Sequence, residues 1–145
     1  VSWPDPRPGP VIRYSYLWAR ERDAGREEGA KDRPCAIVLA VDGEGAVTTV
    51  YVLPITHSPP ATPQEAVELP PATKARLGLD SERSWVVVGE GNRFIWPGPD
   101  LRPQPGQGPD NVAYGMLPPA LFNLIKQRFF AHVRSRRVGV VKRTE

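Results

Sequence analysis

Residues Pro34 to Val41 read PCAIVLAV, Asp42 to Gly45 read DGEG, and Val47 to Thr56 read VTTVYVLPIT; this run decides the fold. An unbroken apolar stretch of strand length, opened by a proline and closed by turn residues, reads as a buried strand. Asp-Gly-Glu-Gly between two β-forming runs is a hairpin signal. Pro54 falls near the end of the second strand, where a missing N–H donor is tolerable. The hairpin predicts the centre of a β-sheet.

Working outward toward the N-terminus, Val11 to Trp18 (VIRYSYLW) alternates and is rich in β-formers, so it reads as the first strand. Before it, residues 1–10 carry Pro4, Pro6, Pro8 and Pro10 and read as an extended arm. Arg20 to Arg33 (RERDAGREEGAKDR) is almost wholly charged and has no apolar face to bury, which predicts a long exposed loop over 20–33.

Toward the C-terminus, Ala66 to Leu69 is a short strand candidate, and Ala72 to Leu79 reads as a helical turn closed by Gly78. Ser84 to Val88 is another strand, interrupted at Gly89-Glu90-Gly91 and resumed at Arg93 to Trp96, as a bulge would do. Residues 97–113 are Pro-rich and read as a mobile loop. Pro118 and Pro119 sit where first-turn prolines are allowed, and Leu121, Leu124, Ile125, Arg128, Phe129 and Val133 then follow helical spacing, predicting a helix over 118–134. Five or six short strands and one C-terminal helix predict a mainly β domain over 11–142. The expected architecture is a small SH3-like or OB-like barrel.

The composition sets the outer limits. The chain has 145 residues, enough for one domain with a core that needs neither metal nor disulfide. Its 18 Pro and 13 Gly stay below the ~25–30% that marks a disordered chain. The single Cys35 excludes an internal disulfide and a Cys-rich zinc site, and reads as a small core hydrophobe. No run of ~18 apolar residues appears, so no membrane partner is expected. The first thirty residues hold no apolar signal segment, so the expected place is the cytoplasm. Net charge is only +3, but six of the last eighteen residues are Lys or Arg. Such an end either supplies electrostatic affinity for nucleic acid or is a solvated helix end.

Chemistry is constrained by what is missing. There is no phosphate-cradling Gly-rich loop and no nucleophile elbow. His57 and His132 are the only histidines, at no metal-ligand spacing, so no metal and no cofactor are expected. Proton transfer and charge stabilisation by side chains remain. Three places offer them. Arg33 is pinned by Pro34 where a buried strand meets solvent. Thr56, His57 and Ser58 gather hydrogen-bonding groups at a strand end. Glu90 sits in the glycine-flanked bulge with Arg93 nearby. Each also has a plain structural explanation: a surface ion pair for Arg33, a turn for Thr56, a solvated bulge for Glu90, an exposed strand end for His57. Trp85 and Trp96 either stack on bases or belong to the core.

Five segments in order resemble the MazF/PemK/Kid toxin family of small mRNA interferases. They are GPVIRYSYLW, GREEGAKDRPCAIVLA with its Arg-Pro pair, VYVLPITHS with its Pro-x-Thr, VVVGEGNRFI, and YGMLPPALFNLIKQRF with its C-terminal helix pattern, covering roughly Gly9 to Val133. The resemblance implies an SH3-like barrel of the MazF/PemK/CcdB kind that forms a homodimer. It implies cleavage of single-stranded RNA without metal, by attack of a ribose 2′-hydroxyl that leaves a 2′,3′-cyclic phosphate. It further implies a cognate antitoxin as partner. Arg33 matches the family's catalytic Arg, Thr56 its strand-end Thr, and Glu90 an Asp acting in acid–base transfer. Glu28 matches an acidic loop position and Arg93 a following basic one. Apart from the resemblance, His57 offers a base beside Thr56, and Glu28, His57, Ser58 and Arg93 are the expected substrate-binding residues. The chain departs from the pattern at Val88, where some members carry Arg, and at Gly91, where they carry Gln. The competing expectation is a non-catalytic barrel that binds nucleic acid or protein, or a small barrel within a larger assembly.

Overall fold

A computed structural model, describing residues 5–25, 31–108, 111–135 and 139–143, builds the chain around the predicted hairpin. The strands are β1 (Pro10–Tyr14), β2 (Arg33–Asp42), β3 (Thr48–Thr56), β4 (Ala66–Glu68), β5 (Trp85–Val87), β6 (Glu90–Trp96), β7 (Ala113–Met116) and β8 (Gly139–Lys142). The helices are α1 (Ala19–Asp23), α2 (Pro71–Leu77) and α3 (Pro119–Arg134). No helix among the described residues is long and apolar enough to cross a membrane.

The hairpin β2–β3 pairs antiparallel from Cys35↔Pro54 to Asp42↔Thr48, with an irregularity between Ile37 and Leu39. β1 lies on the other edge of β2, and β7 on the other edge of β1. The outer edge of β3 is shared. β6 pairs with it from Thr48 to Val52, and β5 takes over at Ile55 and Thr56. Pro54 falls between those two neighbours, where that edge asks for no donor. The result is one eight-stranded sheet that forks at β3.

The protein is therefore mainly β with a C-terminal helix, as expected, but the expected closed barrel is absent. Among the described residues β4 pairs only with β5, β7 only with β1 and β8 only with β6, so the sheet keeps three free edges. The physical reason is the fork. β3 spends its outer edge on two short strands, and among the described residues no strand returns to join the ends.

Two apolar clusters fill the layers. One holds Val11, Val38, Leu53, Val86 and Val88 of the sheet with Ile125 and Phe129 of α3. The other holds Ile12, Tyr14, Ile37, Val52 and Phe94, with Tyr14 stacked on Phe94 at 4.7 Å between ring centroids. The α3 stripe is narrower than its spacing predicts: Ile125 and Phe129 are buried, whereas Leu124 and Val133 are exposed. Cys35 is fully buried, and that burial pushes its thiol pKa up, as suits a core hydrophobe. Trp85 is also core, and Trp96 is half-buried beside Phe94.

The described parts of three expected loop segments make specific contacts. The arm ends in the core: Gly9 N–H donates to Ile37 O at 2.9 Å, and Gly9 O accepts from Leu117 N. From residue 20 the charged segment lies in α1 as far as Asp23, and the Glu21 carboxylate accepts the Trp18 N–H at 3.1 Å. The described residues of 97–113 lie against β1 and lead into β7. Ser15 N–H bonds Asp100 O, Arg13 N–H bonds Val112 O, and Leu101 and Val112 are buried. Backbone pairing and buried apolar side chains hold a segment that its prolines made look like a loop.

Two cations of the basic C-terminal end, Arg143 and Arg128, are engaged within the fold. β8 runs parallel to β6, and Arg143 beyond it is buried. Its guanidinium donates to Ser15 O at 2.6 Å and Asn92 Oδ1 at 3.0 Å, and pairs with Asp100 at 3.0 Å. Arg128 donates to the carbonyls of Pro63 and Ala66. Removing Arg143 would leave the nearly buried Asp100 without this cation. Arg143→Ala is expected to cost about 3–5 kcal/mol of unfolding free energy. Chemical denaturation checks it, and a loss under about 1 kcal/mol would contradict the assignment.

Candidate active site

β2 begins and β3 ends at the same point of the sheet. Continuing the Cys35↔Pro54 register by two residues sets Arg33 opposite Thr56. The positions are far apart in sequence, and antiparallel pairing alone makes them neighbours. They open onto a cleft of about 510 Å³ that His57 and Ser58 also line.

Arg33 is braced there. Its Nη1 donates to Ile55 O at 3.3 Å, and its guanidinium carbon lies 5.0 Å from the centre of the Trp18 ring. Arg20 stands 4.8 Å from the same ring. Two guanidinium groups over one indole are each favoured by the ring quadrupole, yet repel one another. An anion between them relieves that repulsion. Arg33 Nε is also buried with no hydrogen-bond partner among the described residues, an unmet donor in the cleft wall. Trp18 was not among the residues singled out from the sequence. Its signal was present in the aromatic residue closing the first strand two positions before Arg20.

Thr56 Oγ1 accepts the Ser58 N–H at 3.2 Å, which leaves the hydroxyl hydrogen available to a ligand. His57 points to the loop after α2. Gly78 closes that helix in the left-handed conformation, φ 71°, and turns the chain so that Asp80 returns to the end of β3. His57 Nε2 lies 2.8 Å from Asp80 Oδ2. Lys74, buried on α2, donates to Asp80 Oδ1 at 2.5 Å, to Ser84 Oγ at 2.7 Å, and to Glu82 O. The Lys74 hydrogen bond holds the Asp80 carboxyl below the usual carboxylate range, against an opposing desolvation and with further help from His57 and the Glu82 N–H. Asp80 and Lys74 carry no motif, and only the turn at Gly78 brings them to the cleft.

The other expected site residues lie elsewhere. Glu90 Oε2 accepts from the Tyr16 hydroxyl at 2.8 Å and from Ala19 N–H at 3.1 Å. Tyr16 lines the cleft while Glu90 stands behind it, beside a separate cavity that includes Glu65 and His132. Burial, then the nearby Glu90 charge, pushes the Tyr16 hydroxyl pKa far up and keeps it a donor. Arg93 is on another face, with Tyr51 and Lys142. Glu28 lies outside the described residues. The departures at Val88 and Gly91 have a packing reason. Val88 is fully buried, and a Cβ at Gly91 would stand 3.0 Å from Val52 O and 3.3 Å from Leu53.

His57, Asp80 and Glu82 bring possible ligand atoms within 4.8 Å of one another, all exposed. The Lys74 ammonium already serves Asp80 as its cation, and a divalent ion would have to share that carboxylate with it. What the cleft offers is a cationic wall of Arg33 and Arg20, a hydroxyl donor, and an imidazole held by a carboxylate.

The depressed Asp80 pKa has a sign that denaturation can read. A carboxylate whose pKa falls on folding contributes stability above its unfolded value, near ~3.9, and loses it as pH drops through the folded value. Asp80→Asn is therefore expected to be less stable than the wild type at neutral pH, with the difference vanishing in acid. Urea unfolding from about pH 7 to about pH 2 measures it. A difference unchanged at the acid end would contradict the ion-pair origin.

No family model matches the chain, and neither a curated protein nor a solved structure matches it.

Proposed function

We propose that this protein is a metal-independent endoribonuclease of the MazF/PemK kind, the toxin of a type II toxin–antitoxin pair acting on single-stranded mRNA. On this reading the forked sheet is an opened version of that family's SH3-like barrel, and the protein works as a cytoplasmic homodimer. The antitoxin would cover the cleft. The observation that carries the reading is the placement of Arg33 beside Thr56 in a cleft walled by Trp18 and Arg20. A guanidinium can engage two oxygens of one phosphate, and its charge counts most where negative charge develops on the phosphorane. The Thr56 hydroxyl can hold a phosphate oxygen or the attacking 2′-hydroxyl. An adjacent indole suits a stacked base.

Glu90 favours a second reading. It is engaged by Tyr16 and Ala19 behind the cleft, so the acid–base group expected from the resemblance does not reach Arg33. A domain of this fold that binds RNA without cutting it fits that placement.

Incubation of a long single-stranded RNA with the protein in excess EDTA separates the two. Cuts leaving 5′-hydroxyl ends, reduced about 10²–10³-fold by Arg33→Ala, are expected of the nuclease. RNA that is bound but intact, with affinity falling steeply as salt rises, would overturn it in favour of the binding module.

A further inference from the structure

Transesterification at phosphorus needs a group that takes the 2′-hydroxyl proton, and the cleft contains one arrangement built to do so. Asp80 accepts three hydrogen bonds, from His57 at Oδ2 and from Lys74 and the Glu82 N–H at Oδ1. Lys74 is itself fixed by Ser84 and the Glu82 carbonyl. The carboxylate thus has little freedom to turn.

That rigidity decides the state of the imidazole. Asp80 is held ionised by Lys74, and an ionised carboxylate only accepts. The ring nitrogen 2.8 Å from it, Nε2, must therefore carry the hydrogen of the neutral ring. The lone pair is left on Nδ1. The side chain is about half exposed and lines the same cleft as Arg33 and Thr56. An imidazole with one nitrogen fixed on a carboxylate and the other available is the arrangement of a general base.

We infer that His57 Nδ1 is the proton acceptor of this cleft, with Asp80 as the residue that positions its ring and Lys74 as the anchor of Asp80. The inference rests on the ribonuclease reading and supplies the acid–base group that Glu90 does not. His57 Nδ1 takes the proton of the 2′-hydroxyl while the 2′-oxygen bonds to phosphorus. The bond from phosphorus to the 5′-oxygen breaks, and that oxygen takes a proton from solvent water. The products are a 2′,3′-cyclic phosphate and a 5′-hydroxyl, and the imidazolium then returns its proton to water. Arg33 balances the charge on the phosphoryl oxygens.

The charges around the ring are of both signs. Asp80, Glu82 and Lys74 belong to α2 and the loop that follows it, and Glu82 Oε2 stands 3.9 Å from His57 Nε2. Across the cleft lie Arg20 and Glu21 of α1, and Lys31, Asp32 and Arg33 at the start of β2. Asp32 is itself engaged by Arg13 and Arg102.

The test is the pH dependence of RNA cleavage by the full chain in EDTA, from about pH 5 to about pH 8.5, for wild type, His57→Gln and Asp80→Asn. Long-range proton–nitrogen NMR of the imidazoles accompanies it. The wild type is expected to show kcat/KM rising tenfold per pH unit on the acid side and then levelling. His57→Gln is expected to lose about 10²-fold or more and to lose that acid limb. It replaces an exposed side chain, so the fold is expected to survive. NMR is expected to find the Nε2–H tautomer in the wild type and a mixture in Asp80→Asn, a change that a merely structural Asp80 would not produce. Cleavage by His57→Gln within twofold of wild type, with the acid limb kept, would overturn this inference and leave the nuclease reading standing. A wild type that cuts no RNA, whatever its tautomer, removes both.

Discussion

The structure depends on β3 having both edges occupied. A buried strand must pair its N–H and C=O groups, because an unmade backbone bond away from water costs as much as a lost hydrogen bond. β3 meets that demand with β2 along one side and with β6 and then β5 along the other. The change of neighbour falls around Pro54, the one residue of the strand without a donor. Because of that change the sheet forks, and the end of β3 is left lined by Thr56, His57 and Ser58 at the mouth of a cleft.

Buried polar groups tie the rest to this strand. Asn92, on β6, bonds the Leu17 N–H at 2.9 Å and the Leu17 carbonyl at 2.8 Å, and also accepts from Arg143. The segment after β1 is thereby fastened to β6, and the chain after β8 to both. Glu90 belongs to the same scaffold. Through Tyr16 and Ala19 it fixes the segment that carries Trp18 into the cleft. Its contribution to the cleft is the placement of the aromatic wall.

The cleft has two electrostatic sides. Arg33 and Arg20 over Trp18 form a wall whose charges are drawn together by the ring, and neither pairs with a carboxylate among the described residues. Opposite, Lys74, Asp80 and His57 form a hydrogen-bonded chain that ends at the imidazole ring. One side is suited to holding phosphate charge and the other to moving a proton. Two backbone features place them: the antiparallel register that sets Arg33 against Thr56, and the left-handed turn at Gly78 that returns Asp80.

The elements legible in the sequence were those with a local physical signal. The apolar run of β2, the alternating run of β3, the Gly78 stop and the proline-opened helix α3 lie within a residue or two of where periodicity and turn chemistry predict them. Arg33 and Thr56 were also legible, because each closes or opens such a run. What stayed hidden depends on contacts between distant segments. Residues 97–113 look like a loop because their pairing partner is β1, and β8 looks like a basic tail because its partner is β6. Glu90 and Arg93, three residues apart on one strand, face different neighbours, which the spacing of charged residues does not reveal. Asp80 and Lys74 join His57 only once α2 has packed and turned. The sequence by itself determined which segments are strands and where the cleft's first two residues stand, since burial periodicity and turn preferences are local. Tertiary structure decided that the sheet stays open, that Arg143 is buried and that His57 has a carboxylate behind it, since each follows from which edge or cavity a distant residue fills.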